Sequence, residues 1–252
     1  MALLRSIYKL IALVVWYIIA ALMTVPFHFM GRRGMLNMIL ITRLWMRGAA
    51  KIANLKFKVY GRLPDSGLIV SNHLSYIDAI VEGSLLKIRW AARSDVATWP
   101  IIGLVVATAG PIWVDRKMKG ASGNALKEFK YTLRRGLSLL IWSEGTTSDG
   151  MSGVLPLRST VFAAALGLKR PIHPILIRYS DPRIAWYGDM TFVPHFFKIL
   201  SLKEIQAEIY VLDPVYPGTE SRKEFAARVH AIMDREYRRT ACMSAMGETP
   251  DS

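Results

Sequence analysis

Residues 67–78 read GLIVSNHLSYID, and the reading of the whole fold starts from them. An apolar run, GLIVS, leads directly into Asn72, His73, Ser75 and Asp78. β-branched residues bounded by a glycine mark a buried strand, which puts His73 at a strand's C-terminal end, where open α/β sheets place their ligand sites. His73 and Asp78 are five positions apart, about 140° on a regular helix that turns roughly 100° per residue. They meet only where His73 lies in the turn just before the helix that carries Asp78. That arrangement sets the imidazole tautomer through a carboxylate and readies the ring to take a proton from a hydroxyl. The spacing alone is weakly specific. Five histidines and ten aspartates in 252 residues give roughly 0.2 such pairs by chance, and a histidine that caps a helix fits the same pattern.

Outward from this stretch, β-like runs alternate with helical ones. Strands are expected at 56–60 (KFKVY), 67–71, 87–92 (KIRWAA), 111–115 (PIWVD), 138–143 (SLLIWS), 171–179 (PIHPILIRY) and 205–212 (IQAEIYVL). Helices are expected near 75–86, 121–135, 158–168 and 220–240. The alternation predicts an α/β body over 56–240, with a central, largely parallel or mixed sheet flanked by helices. Residues 241–252 read as a frayed tail.

Residues 1–55 differ in character. From Leu10 to Gly31 there is no Asp, Glu, Lys or Arg, about the twenty residues needed to cross a hydrocarbon core. The run is too long for a signal peptide's apolar region. Arg5 and Lys9 precede it and Arg32 and Arg33 follow it, so the distribution of positive charge gives no orientation. These symmetrical charges favour a re-entrant hairpin, bent at Pro26 or Gly31 with both ends on the cytoplasmic side, over a single span. Residues 35–53 form an amphipathic helix whose stripe of Arg43, Arg47 and Lys51 suits an anionic membrane interface.

Composition agrees with a lipid-facing protein. The chain is 52% hydrophobic with a mean hydropathy of +0.25, above the roughly 45–50% apolar content of soluble domains. Thirty-three Lys and Arg against nineteen Asp and Glu give +14, which favours an anionic membrane surface or an acidic carrier protein. The basic residues fall in small groups without a nucleic-acid module, so no nucleic-acid partner is expected. A single cysteine, Cys242, makes no internal disulfide, and no Cys/His spacing suggests a metal; no cofactor is expected.

Three more segments carry chemistry: GPIWVDRK (110–117), WSEGTTSDG (142–150) and RPIHPILI (170–177). With the opening stretch they read, in order, NH-x4-D, G-x-I-x-V-D-R, EGT and P-I-x-P. Over about residues 56–215 this resembles the four motif blocks of the glycerolipid acyltransferases, the family of 1-acylglycerol-3-phosphate and related lysolipid acyltransferases; ARSDVATWPIIG (92–103) is similar to it too. The resemblance implies that His73 is the general base that deprotonates the acceptor hydroxyl, that Asp78 orients it, and that no acyl-enzyme forms. It implies that Arg116 grips a phosphate and that Glu144, Gly145 and Thr146 bind the acceptor. It further implies a lysolipid acceptor and an acyl thioester of acyl carrier protein or coenzyme A as donor, in a bacterial-type inner membrane with the active site facing the cytoplasm.

Two departures bear on the acceptor. The family's Pro-Glu-Gly-Thr-Arg is here Ser143-Glu144-Gly145-Thr146-Thr147, which removes one phosphate-gripping charge. The string GTTSDGMSGVLPLRSTVF (145–162) is more similar to lyso-ornithine lipid acyltransferases, whose acceptor carries an amino acid headgroup. Lyso-ornithine lipid is therefore narrowly preferred to lysophosphatidic acid, with Arg158 available to replace the lost charge. Two other readings are a non-catalytic membrane lipid-binding protein and a serine hydrolase using Ser75 or Ser143; the latter lacks a G-x-S-x-G elbow. His28, His173 and His230 are expected to be structural, His195 has no evident role, and Trp99, Trp113, Trp186 and Tyr187 are expected in the core or an acyl tunnel.

Overall fold

A computed structural model of the chain describes residues 1–115 and 123–246. Each of the seven apolar, β-branched runs forms a strand: β1 (Leu55–Tyr60), β2 (Leu68–Ser71), β3 (Ile88–Arg93), β4 (Ile112–Val114), β5 (Ser138–Trp142), β6 (Ile172–Tyr179) and β7 (Ile205–Val211). They make one sheet in the order β1-β7-β6-β2-β5-β3-β4, parallel throughout except for the antiparallel β6–β7 pair. The expected mixed α/β architecture is thus what the chain adopts.

β2 lies at the centre of the sheet and all four of its residues are buried. Leu68 and Val70 enter the core built with α5 (Gly123–Arg134), α6 (Phe162–Leu168) and α8 (Arg222–Met246). Ile69 points the other way, into the core under α2 (Met35–Ala53), α3 (Ile77–Leu85) and α7 (Phe192–Ser201). Burying each such side chain stabilises the fold by about 1.5–3 kcal/mol, so a one-residue slip that swaps the two faces is strongly disfavoured. This locks the register of β2 and therefore the place where its C-terminal end delivers His73.

Two helices escape the periodicity reading. In α4 (Ile102–Thr108), IGLVVAT holds a glycine and four β-branched residues, all poor helix formers. In α7, Pro194 argues against a helix, yet it lies in the first turn, where its missing N–H has no intrahelical partner to lose.

The N-terminal segment is a hairpin of two helices. α1 (Ala2–Phe29) continues through Pro26, and the chain reverses at Gly31–Gly34, where Gly31 has φ +52°. Gly34 lies so close to Phe27, and Gly48 to the Trp16 indole, that a Cβ at either position would clash. α1 is long and apolar enough to cross a membrane by length and composition. Its flanking charges nonetheless tie it to the body. Lys9 Nζ donates to Ala53 O and Leu202 O, both at 2.8 Å, Arg5 donates to Ser201 O, and Arg32 at the tip pairs with Glu128 on α5. Held near both ends, α1 lies along the body with an exposed outer face.

Two of the three residues in the basic stripe of α2 have a different role from the one their sequence suggests, while Lys51 is exposed. Arg43 donates to Leu85 O at 2.8 Å and Arg47 to Ser84 O at 3.1 Å. Both guanidinium groups serve the last carbonyls of α3, the negative end of its dipole, instead of an external anionic surface.

Candidate active site

β2 ends at Ser71, and the chain turns through residues 72–76 before α3 starts. Asn72 anchors that turn: its amide nitrogen donates to Ile177 O at 3.0 Å and its amide oxygen accepts from Ile177 N at 2.7 Å, which ties the end of β2 to β6. His73 comes next, and its Nδ1 lies 2.8 Å from Asp78 Oδ2. Asp78 sits in the first turn of α3 with no solvent exposure. It also accepts from Leu74 N at 2.7 Å, Ser75 N at 3.0 Å and Tyr179 Oη at 2.7 Å. Because Asp78 is the acceptor throughout, His73 carries its proton on Nδ1 and keeps Nε2 as an acceptor.

The other face of the imidazole is covered by Trp142. The register of β2 against β5 pairs Ser71 with Trp142, and the indole stacks on His73 with centroids 4.7 Å apart and planes at 15°. The indole Nε1 donates to Glu82 Oε2 at 2.9 Å, one turn along α3 from Asp78. Burial pushes the Glu82 carboxyl up to about 8 from 4.5. Between these values the folded chain holds a proton that the unfolded chain has released. The associated stability is therefore complete below about pH 4.5 and is lost as pH rises through about 8, by up to roughly 1.4 kcal/mol per unit of pKa shift. A Glu82→Gln variant keeps an acceptor for Trp142 and cannot ionise. Its melting temperature, measured against wild type from about pH 5 to about pH 9, should gain on wild type as pH rises.

Both carboxylate oxygens of Glu144 are engaged by backbone N–H groups. Its Oε2 accepts from His73 N at 2.8 Å and its Oε1 from Leu155 N at 2.9 Å, and burial raises its carboxyl to about 8 against the opposing pull of these two bonds. The expected binding residue is turned inward, where it holds the backbone of His73. Gly145 follows with φ +78°, and a Cβ there would lie 2.2 Å from Arg158 Nε. Glycine is needed both for the turn and to let the guanidinium lie against it. Thr146 and Thr147 then reach the cavity wall beside His73. Arg116 lies outside the described residues.

This cavity has a volume of about 440 Å³, within the usual range for ligand pockets. Its walls come from α1 and α2 (Tyr17, Trp45), α4 (Ile102, Val106) and the segment before and within α7 (Trp186, Phe196), with His73, Thr146 and Thr147 among its few polar groups. Trp99, Trp186 and Tyr187 line it, whereas Trp113, on β4, is not among the lining residues. His195 has a role that its sequence did not reveal. Its Nε2 donates to Arg183 O and Ala185 O, both at 3.1 Å, so its Nδ1 accepts from Tyr76 Oη at 3.0 Å and ties the cavity wall to the segment before α7. Burial lowers its pKa, which keeps the ring neutral. Ser75 and Ser143 are buried, and the hydroxyl of each lacks a hydrogen-bond partner among the described residues, so neither is joined to His73 as a serine nucleophile requires.

The sequence reading missed Trp142, Glu82 and Tyr179. Trp142 and Tyr179 each end a strand that runs parallel beside β2, and that adjacency was the available signal.

Comparison with known proteins agrees with the geometry. The acyltransferase family model matches residues 56–178. A lyso-ornithine lipid O-acyltransferase of Rhodobacter capsulatus is 32% identical over 207 residues, 77% of this chain and 74% of that protein. One from Brucella abortus is 28% identical over 202 residues, 72% and 75% of the two chains. Among solved structures, the 1-acyl-sn-glycerophosphate (LPA) acyltransferase PlsC of Thermotoga maritima shares the fold, with a TM-score of 0.70 over 95% of each chain at 16% identity. The matched span, the relative at 32% identity and a histidine–aspartate pair set beside an apolar cavity lead to one conclusion: the chain belongs to the glycerolipid acyltransferase family and is an O-acyltransferase.

Proposed function

We propose that this enzyme moves a fatty acyl group from an acyl thioester to the hydroxyl of lyso-ornithine lipid, with His73 as general base and Asp78 as its orienting partner. The observation that carries the reading is the 2.8 Å His73–Asp78 hydrogen bond beside an apolar cavity. His73 Nε2 takes the acceptor's hydroxyl proton as the oxygen attacks the thioester carbonyl carbon. The tetrahedral intermediate then collapses, the C–S bond breaks, and the departing thiolate recovers the proton from the imidazolium. Asp78 holds the ring in the required tautomer and stabilises its charged form, while Glu144 and Trp142 hold the backbone and ring plane in place. The thioester supplies all the chemistry, so the reaction as written needs no metal or redox cofactor.

The choice of acceptor is supported by Thr147, which stands where the phosphate-binding family members carry arginine, and by the names of the two relatives. Arg158, lying against Gly145, supplies a cation for the headgroup carboxylate at the same turn, and Arg116 is a second candidate for that role. The donor is acyl carrier protein or coenzyme A, both anionic and so suited to a chain of +14. The apolar outer face of α1 supports a place on a bacterial inner membrane; the cytoplasmic side of that membrane is where either donor is found.

Purified enzyme supplied separately with lyso-ornithine lipid and lysophosphatidic acid, each with both donors, tests this. The expected result is a kcat/KM at least about tenfold higher for lyso-ornithine lipid, a difference of about 1.4 kcal/mol. Equal or reversed preference would reject the acceptor assignment and leave acyl transfer standing.

A further inference from the structure

The apolar surface of the molecule does not end at α1. Ile101, just before α4, is 78% exposed, and Leu104, within α4, is 64% exposed. Ile101 has φ +64° and ψ −56°, and Ile102 N donates to Pro100 O at 2.6 Å, so residues 100–102 form a positive-φ γ-turn. That turn is rare and strained, and a β-branched residue is the least suited to its centre. The strain is locked in from behind. Gly103 packs so closely on Ala97 O that its missing Cβ would come within 2.4 Å, and Gly103 N donates to Trp99 O. A braced, strained turn that holds an isoleucine out into solvent has no purpose inside the fold, because the side chain it displays touches little of the chain.

The opposite face of α4 explains the placement. Ile102, Val105 and Val106 line the cavity, and α4 also packs against α1, whose outer residues, among them Ile18 and Leu22, are exposed. α4 is therefore one wall between the cavity and the outside, continuous with the exposed apolar face of α1. We propose that the Pro100–Leu104 turn is a second membrane-insertion element, which places Ile101 and Leu104 in the hydrocarbon of the same leaflet as α1 so that an acyl chain passes from the bilayer to the cavity without crossing water. This rests on the lipid acceptor assigned above. It commits to lipid hydrocarbon as the occupant because the surface is continuous with α1 and the cavity behind it is apolar.

The experiment uses the full chain with Cys242→Ser as background, and a single environment-sensitive fluorophore (NBD) at Leu104→Cys, Ile18→Cys or Lys58→Cys. Vesicles of phosphatidylcholine and phosphatidylglycerol, with and without doxyl-labelled chains, are then added. The expected result is a blue shift and doxyl quenching at position 104 comparable with position 18, and neither change at position 58. A label at 104 that stays aqueous while 18 is quenched overturns the proposal, as does the absence of quenching at both. In parallel, an Ile101→Ser, Leu104→Ser variant should lose turnover of vesicle-embedded lysolipid several-fold while turnover of a short-chain, water-soluble lysolipid stays at the wild-type level. Equal turnover of both acceptors also overturns it. A wild-type enzyme inactive on every lysolipid would refute the acceptor reading instead, and the fluorescence result would still decide the membrane contact.

Discussion

A His73→Ala variant is expected to lose acyl transfer almost completely while it keeps its fold. A positioned general base contributes about 10² to 10⁴ in rate, and among the described residues no other side chain bonded to Asp78 carries a basic nitrogen. The imidazole side chain is 20% exposed and makes one side-chain hydrogen bond, to Asp78, besides its stack on Trp142. Its removal should therefore cost only about 1 kcal/mol of stability. The check is single-turnover acyl transfer alongside a thermal melt. A variant that folds and retains more than about a tenth of wild-type turnover would exclude His73 as the base.

Asp78→Ala should fail in a second way. The carboxylate is fully buried and gathers the His73 ring, two backbone N–H groups and the Tyr179 hydroxyl. Deleting it strands three donors besides the imidazole, at roughly 1–3 kcal/mol for each one left buried and unpaired. A loss of at least about 3 kcal/mol is expected, together with loss of activity, because the turn that presents His73 is built on these same bonds. Asp78→Asn separates the two effects. The amide oxygen still accepts from some of the donors, so stability recovers in part, whereas the charge that favours the imidazolium is gone and turnover stays at least about 10²-fold down. An Asp78→Asn enzyme with near-normal kcat would show that the aspartate is a structural staple alone.

The alternation of apolar runs located all seven strands, because strand formation depends on side chains two residues apart and on nearby glycines and prolines. The pair of His73 and Asp78 became legible only together with the three later motif blocks, because five residues of turn and first helical turn can bring two side chains together in many chains. The α4 and α7 helices were not legible, since their β-branched residues and proline oppose local propensity and tertiary packing overrides it.

Contacts made across the fold explain the rest. Tyr179 is 101 positions from Asp78 and Trp142 is 60 from Glu82, and only the parallel register of β6 and β5 beside β2 brings them to the His73–Asp78 pair. Glu144 was recognisable as a residue of the site, but its inward direction depends on where the backbone of His73 and Leu155 arrives. The charges of Arg43 and Arg47 suggested a membrane surface and those of Arg5 and Lys9 only flanked an apolar segment; packing directs all four to helix C-termini and nearby backbone carbonyls. A periodic pattern in the chain states which face is apolar or basic; what that face meets depends on the element folded against it.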